Sequence, residues 1–361
     1  MRLWKLAFAA LLIASPAMAE DRVVNFFNWT DYIDPTVISD FTKTTGIQVR
    51  SDTYDSLETL EGKLLAGSSG YDVVVPTSEP TFSRLVRSGA LLPLDKTKLP
   101  NLAGLDPVLM QRVASSDPGN KFGAIYLWGT VGLGVNVAKV KALFPDAPLD
   151  SWDLLFKPEN AARIASCGIT IMDSAIDVLP TVLHLLGRSP DSTNPADLAA
   201  AAKMLHAIRP SIRSFVSGGA VEALASGETC LVMTYSGDVI QAAVRAEEAG
   251  HGGEIRYIAP REGAQLWFDM LAIPKDAPHP AEALQFINFL LQPEMMARIT
   301  NKVRYPNAVP ASQPAIRPAI AGDPGIYPSP EALKNFFTIG PVQADAARAR
   351  SRMWARFKAG D

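Results

Sequence analysis

A chain of 361 residues, 48% hydrophobic and 20% charged, carries enough apolar surface for a sizeable core and can hold two medium domains. Its net charge of -3 argues against nucleic acid as a partner, because that partner calls for a basic stripe. Apart from the first residues, no apolar run approaches ~20 residues, so a soluble protein that does not span a membrane is expected.

The N-terminus sets the expected compartment. Arg2 and Lys5 form a positive n-region, residues 6–13 a short apolar core, and Ala17-Met18-Ala19 an A-x-A cleavage site. Residues 1–19 are therefore expected to be a secretory signal peptide. Its removal takes two bases and no acid, moving the net charge from -3 to -5.

The apolar run 23–27 predicts the first strand. Asn28-Trp29-Thr30-Asp31-Tyr32-Ile33 follows it, and Asp34-Pro35 reads as a helix cap with proline at the first helical position. An indole, a hydroxyl, a carboxylate and a phenol thus share a strand-to-helix turn, where ligands bind in open α/β sheets. Strands are predicted at 47–49, 71–75, 125–128 and 131–135. Ser56 caps a helix through 65, and another helix covers 82–86. This βαβ series predicts a doubly wound α/β sheet.

A second series begins near Ser151, which caps a helix over 152–156. Strands are expected at 169–172, 212–215, 230–234, 254–258 and 266–273. Helices are expected at 178–186, 195–208, 220–225, 239–249, 281–291 and 293–299, with an Ala- and Arg-rich amphipathic helix over 344–358. No linker rich in Gly, Ser or Pro separates the series. Two lobes joined by crossing strands, near 132–137 and 260–268, with a cleft between them, are expected. The expected division is 20–133 with 260–310 for one lobe and 134–259 with 311–361 for the other.

Two cysteines, Cys167 and Cys230, suggest one disulfide in an exported protein, with two buried free thiols as the alternative. The four histidines are scattered, and neither H-E-x-x-H, G-x-S-x-G nor a P-loop occurs. Gly129, Gly132 and Gly134 cluster in a strand-like run, without the strand-turn-helix context of a dinucleotide site. No catalytic residue, metal site or cofactor is expected.

Acids and aromatics recur where strands end. Trp29, Asp31 and Tyr32 follow the first strand. Thr77 and Ser78 follow 71–75, Asp173 and Asp177 follow 169–172, and Tyr235 and Asp238 follow 230–234. Ser217 starts a helix, Trp267 and Asp269 fall inside an apolar strand, and Tyr305 lies in a loop. Singly, most have plainer readings as caps, dipole-favoured helix-start acids or core. Asp269 is harder to dismiss, because an unpaired carboxylate in an apolar strand is costly. Together they form a set of acids and aromatics with almost no base beside them. A cationic ligand would supply the missing charge, with methylenes between the rings and ammonium ends on the carboxylates. Two acid poles favour a diamine over a monoamine.

These residues resemble the periplasmic putrescine/spermidine-binding proteins of bacterial ABC transporters, most closely the putrescine-binding branch. The resemblance is carried by N-W-T-D-Y-I at Asn28, L-E-G-K-L-L-A-G-S-S-G-Y-D-V-V-V-P at Leu60 and P-L-D-K-T-K-L-P at Pro93. It continues through S-W-D-L-L-F-K-P-E-N at Ser151, S-C-G at Ser166, S-G-D-V at Ser236 and W-F-D at Trp267. It implies a type II two-lobed periplasmic solute-binding fold that closes on ligand and serves ABC permease subunits, as a non-enzymatic monomer. It implies that Trp29, Tyr235 and Trp267 box the alkyl chain and that Asp31, Asp177, Asp238 and Asp269 hold the amines. Thr30, Tyr32, Thr77, Ser217 and Tyr305 would add polar contacts or shape, and Cys167 and Cys230 match a disulfide pair of the putrescine branch. Five residues depart from that branch. Asp177 stands where glutamate is usual, Tyr235 where tryptophan is usual, and Glu79 where serine or an aromatic is expected. Thr30 and Trp267 look like the spermidine-preferring members. Putrescine is the expected ligand, with spermidine, agmatine and cadaverine as competitors. A secreted hydrolase using the cleft carboxylates and a periplasmic sensor subunit are the other classes.

Overall fold

The computed structural model describes residues 22–216, 219–250 and 254–360. The expected signal peptide and the candidate Ser217 lie outside the described residues.

Among the described residues, nine strands form one sheet: β1 (Val23–Trp29), β2 (Gln48–Tyr54), β3 (Val73–Val74), β4 (Gly123–Asn136), β5 (Ile169–Met172), β6 (Ser214–Val216), β7 (Leu231–Tyr235), β8 (Ile255–Ile258) and β9 (Gln265–Ala272). Their order is β2-β1-β3-β9-β4-β7-β5-β6, with β8 paired to β4. Parallel pairs lie at both ends and antiparallel β9 and β4 at the centre. This matches the expectation of two α/β units joined by crossing strands.

The run 123–136 differs from expectation. Two strands were predicted there, and the structure has one of fourteen residues, buried throughout. Its first part pairs with β9 and its last part with β7 and β8. The glycines do not break it, because flanking β-branched and large apolar residues keep the chain extended. β3 is shorter than predicted, with only Val73 and Val74 in ladder geometry.

Among the described residues, two large hydrophobic clusters form most of the core, with two smaller ones beside them. The first gathers Phe26, Phe41, Tyr126, Phe268 and Phe286, and the second Trp152, Ile171, Leu183, Met233 and Phe357. Trp267 packs against both. The C-terminal segment also touches both, Phe336 in the first cluster and Trp354 and Phe357 in the second.

Cys167 and Cys230 form a disulfide across 63 residues, at the entries to β5 and β7. Several helix starts follow the sequence signals. Asp34 accepts from the Thr36 N–H at 2.9 Å, ahead of the helix Pro35–Thr45, and Ser56 accepts from the Thr59 N–H at 3.2 Å. Both satisfy N–H groups that a helix leaves without internal partners.

Candidate functional site

The register of β4 determines what meets at the centre of the molecule. Val131 lies opposite Tyr235 of β7 on one side and opposite Gln265 of β9 on the other. Side chains on a strand alternate, so Gln265, Trp267 and Asp269 share one face of β9. That face lines a cleft of about 1110 Å³ between the two large hydrophobic clusters.

At one end of the cleft, Asp269 is 4% exposed. Its Oδ1 accepts from the Thr77 hydroxyl at 2.6 Å and its Oδ2 from the Tyr32 phenol at 2.8 Å. Thr77 is bridged to Asp269 through the backbone, so it spends its hydroxyl there rather than on a helix cap. Burial pushes the Asp269 carboxyl up to about 7, against the opposing pull of those two hydrogen bonds.

At the other end, Asp177 is also 4% exposed, in the first turn of the helix Ala175–Leu185. Its Oδ2 accepts from the Ser174 hydroxyl at 2.5 Å and the Tyr235 phenol at 2.9 Å, and its Oδ1 from the Gln265 amide at 2.9 Å. Burial raises its pKa, opposed by these three donors. Asp238 lies nearby in the helix Ser236–Glu248. It accepts from the Thr234 hydroxyl at 2.8 Å rather than capping a backbone N–H, and burial raises its pKa too.

A row of rings links the two ends. Tyr32 meets Tyr305 at 5.6 Å between centroids, Tyr305 meets Trp267 at 5.2 Å, and Trp267 meets Tyr235 at 5.9 Å, all edge-to-face. Burial first, and neighbouring carboxylates second, push the Tyr32 and Tyr235 phenols well above their usual range, so they serve as neutral donors. Trp29 stands at the rim, its indole N–H donating to the Val75 carbonyl at 3.1 Å and its ring beside Tyr54. Thr30 and Asp31 are exposed on the same rim, with Asp31 at a left-handed φ of 54°.

Every described residue of the candidate set lines this one cleft: Trp29, Thr30, Asp31, Tyr32, Thr77, Asp177, Tyr235, Asp238, Trp267, Asp269 and Tyr305. Asp173 is different in kind. Its carboxylate is taken up by Lys358 at 2.6 Å and by the Trp354 indole N–H at 2.6 Å, tying down the C-terminal helix Ala344–Ala359. Among the described residues, no base forms an ion pair with Asp31, Glu79, Asp177, Asp238 or Asp269.

Sequence reasoning missed several contributors. Gln265 and Ser174 hold Asp177, and neither stood out without the β4 register. Gln265 Oε1 and Trp267 Nε1 are buried with no hydrogen-bond partner among the described residues. Gly129 and Gly237 make room for the rings. A Cβ on Gly129 would lie 2.3 Å from the Trp267 indole, and one on Gly237 only 2.0 Å from the Tyr305 ring.

Gly237→Ala therefore sets two effects against each other. Alanine improves helix propensity by about 1 kcal/mol. Overpacking against a buried ring costs about 1–3 kcal/mol. Net destabilisation is expected, read as a lower urea midpoint, and a raised midpoint would contradict the close packing of Tyr305.

The arrangement defines a two-lobed binding cleft whose acids face each other along an aromatic wall. The chain matches the family model for bacterial extracellular solute-binding proteins over residues 36–327, and it belongs to that family. It is 47% identical to the putrescine-binding periplasmic protein SpuD of Pseudomonas aeruginosa, over 98% of this chain and 97% of that one. It is 43% identical to the putrescine-binding periplasmic protein PotF of Escherichia coli, over 95% and 93%. Among solved structures it resembles the spermidine/putrescine ABC transporter substrate-binding protein PotD of Streptococcus pneumoniae. That match has a TM-score of 0.84 and 29% identity, over 94% of this chain and 99% of that one. All three are named as binding proteins.

Proposed function

We propose that this protein is a periplasmic receptor for a short linear polyamine, putrescine first, which it delivers to the permease of an ABC importer. The carrying observation is the pair of buried carboxylates, Asp269 and Asp177, each held by neutral donors and neither ion-paired among the described residues. A carboxylate can accept about four hydrogen bonds, so both retain capacity for an ammonium. The free Gln265 Oε1 adds an acceptor beside Asp177.

Spacing supports a diamine. Gln265 and Asp269 are four residues apart on β9, about 13 Å at ~3.3 Å per residue. That backbone interval puts the two poles on the length scale of a short linear diamine. Trp267, Tyr305 and Tyr235 would cover the methylenes, and Trp29, Thr30, Asp31 and Asp238 would complete the box. Relatives that share nearly the whole chain and carry putrescine in their names support the same choice. Residues 1–19 would be the removed leader, and the receptor would act as a monomer.

Calorimetric titration of ligand-stripped protein with putrescine, cadaverine, spermidine and agmatine tests the reading. Submicromolar to micromolar binding of at least one is expected, and no binding below millimolar would reject it.

A pH dependence follows from Asp269. An ammonium pairs with the ionised carboxylate, so affinity should fall as pH drops through about 7, approaching tenfold per unit. Binding near neutral pH should release protons, giving an apparent enthalpy that changes with the buffer's ionisation heat. Stability of the ligand-free protein runs the other way. A carboxyl raised from 3.8 to about 7 binds more protons folded than unfolded, so its contribution to stability grows as pH falls from about 7 towards 4.

A further inference from the structure

Buried carboxylates in this molecule fall into two kinds. The first kind is structural. Asp117, away from the cleft, accepts from the backbone N–H groups of Lys121, Phe122 and Gly123 at 2.9–3.0 Å. Asp72 accepts from the Asn25 and His279 backbone N–H groups and lies 3.0 Å from the His279 ring nitrogen. Such groups hold chain segments together with N–H donors or a base. The second kind, Asp177 and Asp269, lines the cleft and is held by neutral side chains alone.

Glu79 belongs to the second kind. It lines the same cleft and is 6% exposed. Its Oε2 accepts from the Ser83 hydroxyl at 2.6 Å and its Oε1 from the Ser116 hydroxyl at 2.8 Å. Among the described residues no backbone N–H reaches it, and the exposed Arg87 acts on it only from beyond ion-pair distance. Its backbone is extended, with φ -126° and ψ 136°, so it is not an acid favoured by a helix dipole. Each oxygen has one donor and retains capacity for another.

Its place in the chain gives it a side of the cleft. Glu79 follows Thr77 by two residues, and the Thr77 hydroxyl is on Asp269. Glu79 therefore belongs to the Asp269 end of the cleft. A cleft of about 1110 Å³ has space beyond what a four-carbon diamine fills.

We propose that Glu79 is a third acid pole, which takes the extra ammonium of a triamine whose other two amines occupy Asp269 and Asp177. This rests on the polyamine reading above and deepens it. The protein then accepts both a diamine and a longer triamine, and Glu79 sets the preference between them.

Glu79→Gln keeps the shape and a hydrogen-bonding partner for both serines while removing the charge. Titration of this variant should leave 1,4-diaminobutane affinity within about threefold of wild type and weaken spermidine tenfold or more. An equal change for both amines, including loss of both or of neither, would overturn the proposal by assigning Glu79 to the frame of the cleft. A second measurement needs no variant. Wild-type protein should bind N1-acetylspermidine, whose aminopropyl end is uncharged, at least tenfold more weakly than spermidine, and equal affinities would overturn the proposal. Wild type that binds neither diamine nor triamine would instead reject the polyamine reading itself.

Discussion

Asp269→Asn should weaken diamine binding by about 2–5 kcal/mol, the cost of truncating one partner of a buried charge pair. The amide occupies nearly the same space, and its oxygen can still accept from Tyr32 or Thr77. The lost quantity is charge, so the bound ammonium would face a dipole in a site that water barely reaches. The same change should not cost stability at pH 8. There the wild-type carboxyl, raised by burial to about 7, is mostly ionised and poorly solvated, and the amide removes that penalty. Loss of affinity with unchanged or improved stability separates a binding carboxylate from a structural one. Unchanged affinity in a folded variant would remove Asp269 from the site.

The second large effect is on stability. Replacing Cys167 and Cys230 together with serine opens a loop of 63 residues. The chain-entropy model then gives a loss of up to about 4 kcal/mol. Urea unfolding of the double variant, and of wild type under reducing conditions, should agree in showing that loss. The disulfide ties the entries of β5 and β7, whose far ends carry Asp177 and Tyr235 into the cleft. Under conditions where the variant is fully folded, diamine affinity should change by less than tenfold. A midpoint equal to wild type would mean that the pairing adds nothing to the folded state.

Much of this architecture could be read from the chain because its cues are local. Proline at the first helical position, capping serines and aspartates, and apolar runs between glycines mark elements without knowledge of what they touch. The helix Pro195–Ile208 begins and ends where the sequence places it. Asp269 was legible for a similar reason, since a carboxylate in an apolar strand conflicts with its surroundings. Distant contacts were not legible. Asp173 looked like the other strand-end acids until the C-terminal helix, some 180 residues later, brought Lys358 and Trp354 to it. Gln265 and Ser174 are ordinary polar residues in sequence, and only the pairing of β4 with both β7 and β9 brings Gln265 to the Asp177 pole. Gly129 read as one of a cluster, and its role as space for an indole depends on its register with Trp267. In sequence Glu79 stood out only by replacing an expected serine or aromatic, and its burial in the cleft with hydroxyl-only partners depends on the folded chain.

Two-pole recognition is tested most directly by comparing 1,4-diaminobutane with 1-aminobutane on the same ligand-stripped protein by calorimetry at pH 8. The two ligands share the alkyl chain and one ammonium, so the aromatic wall and one pole contribute nearly alike. The second ammonium adds a charged hydrogen bond worth about 1.5–3 kcal/mol, so the diamine should bind about 10- to 150-fold more tightly. Equal affinities would contradict the assignment of Asp177 and Asp269 as opposite ends of one site.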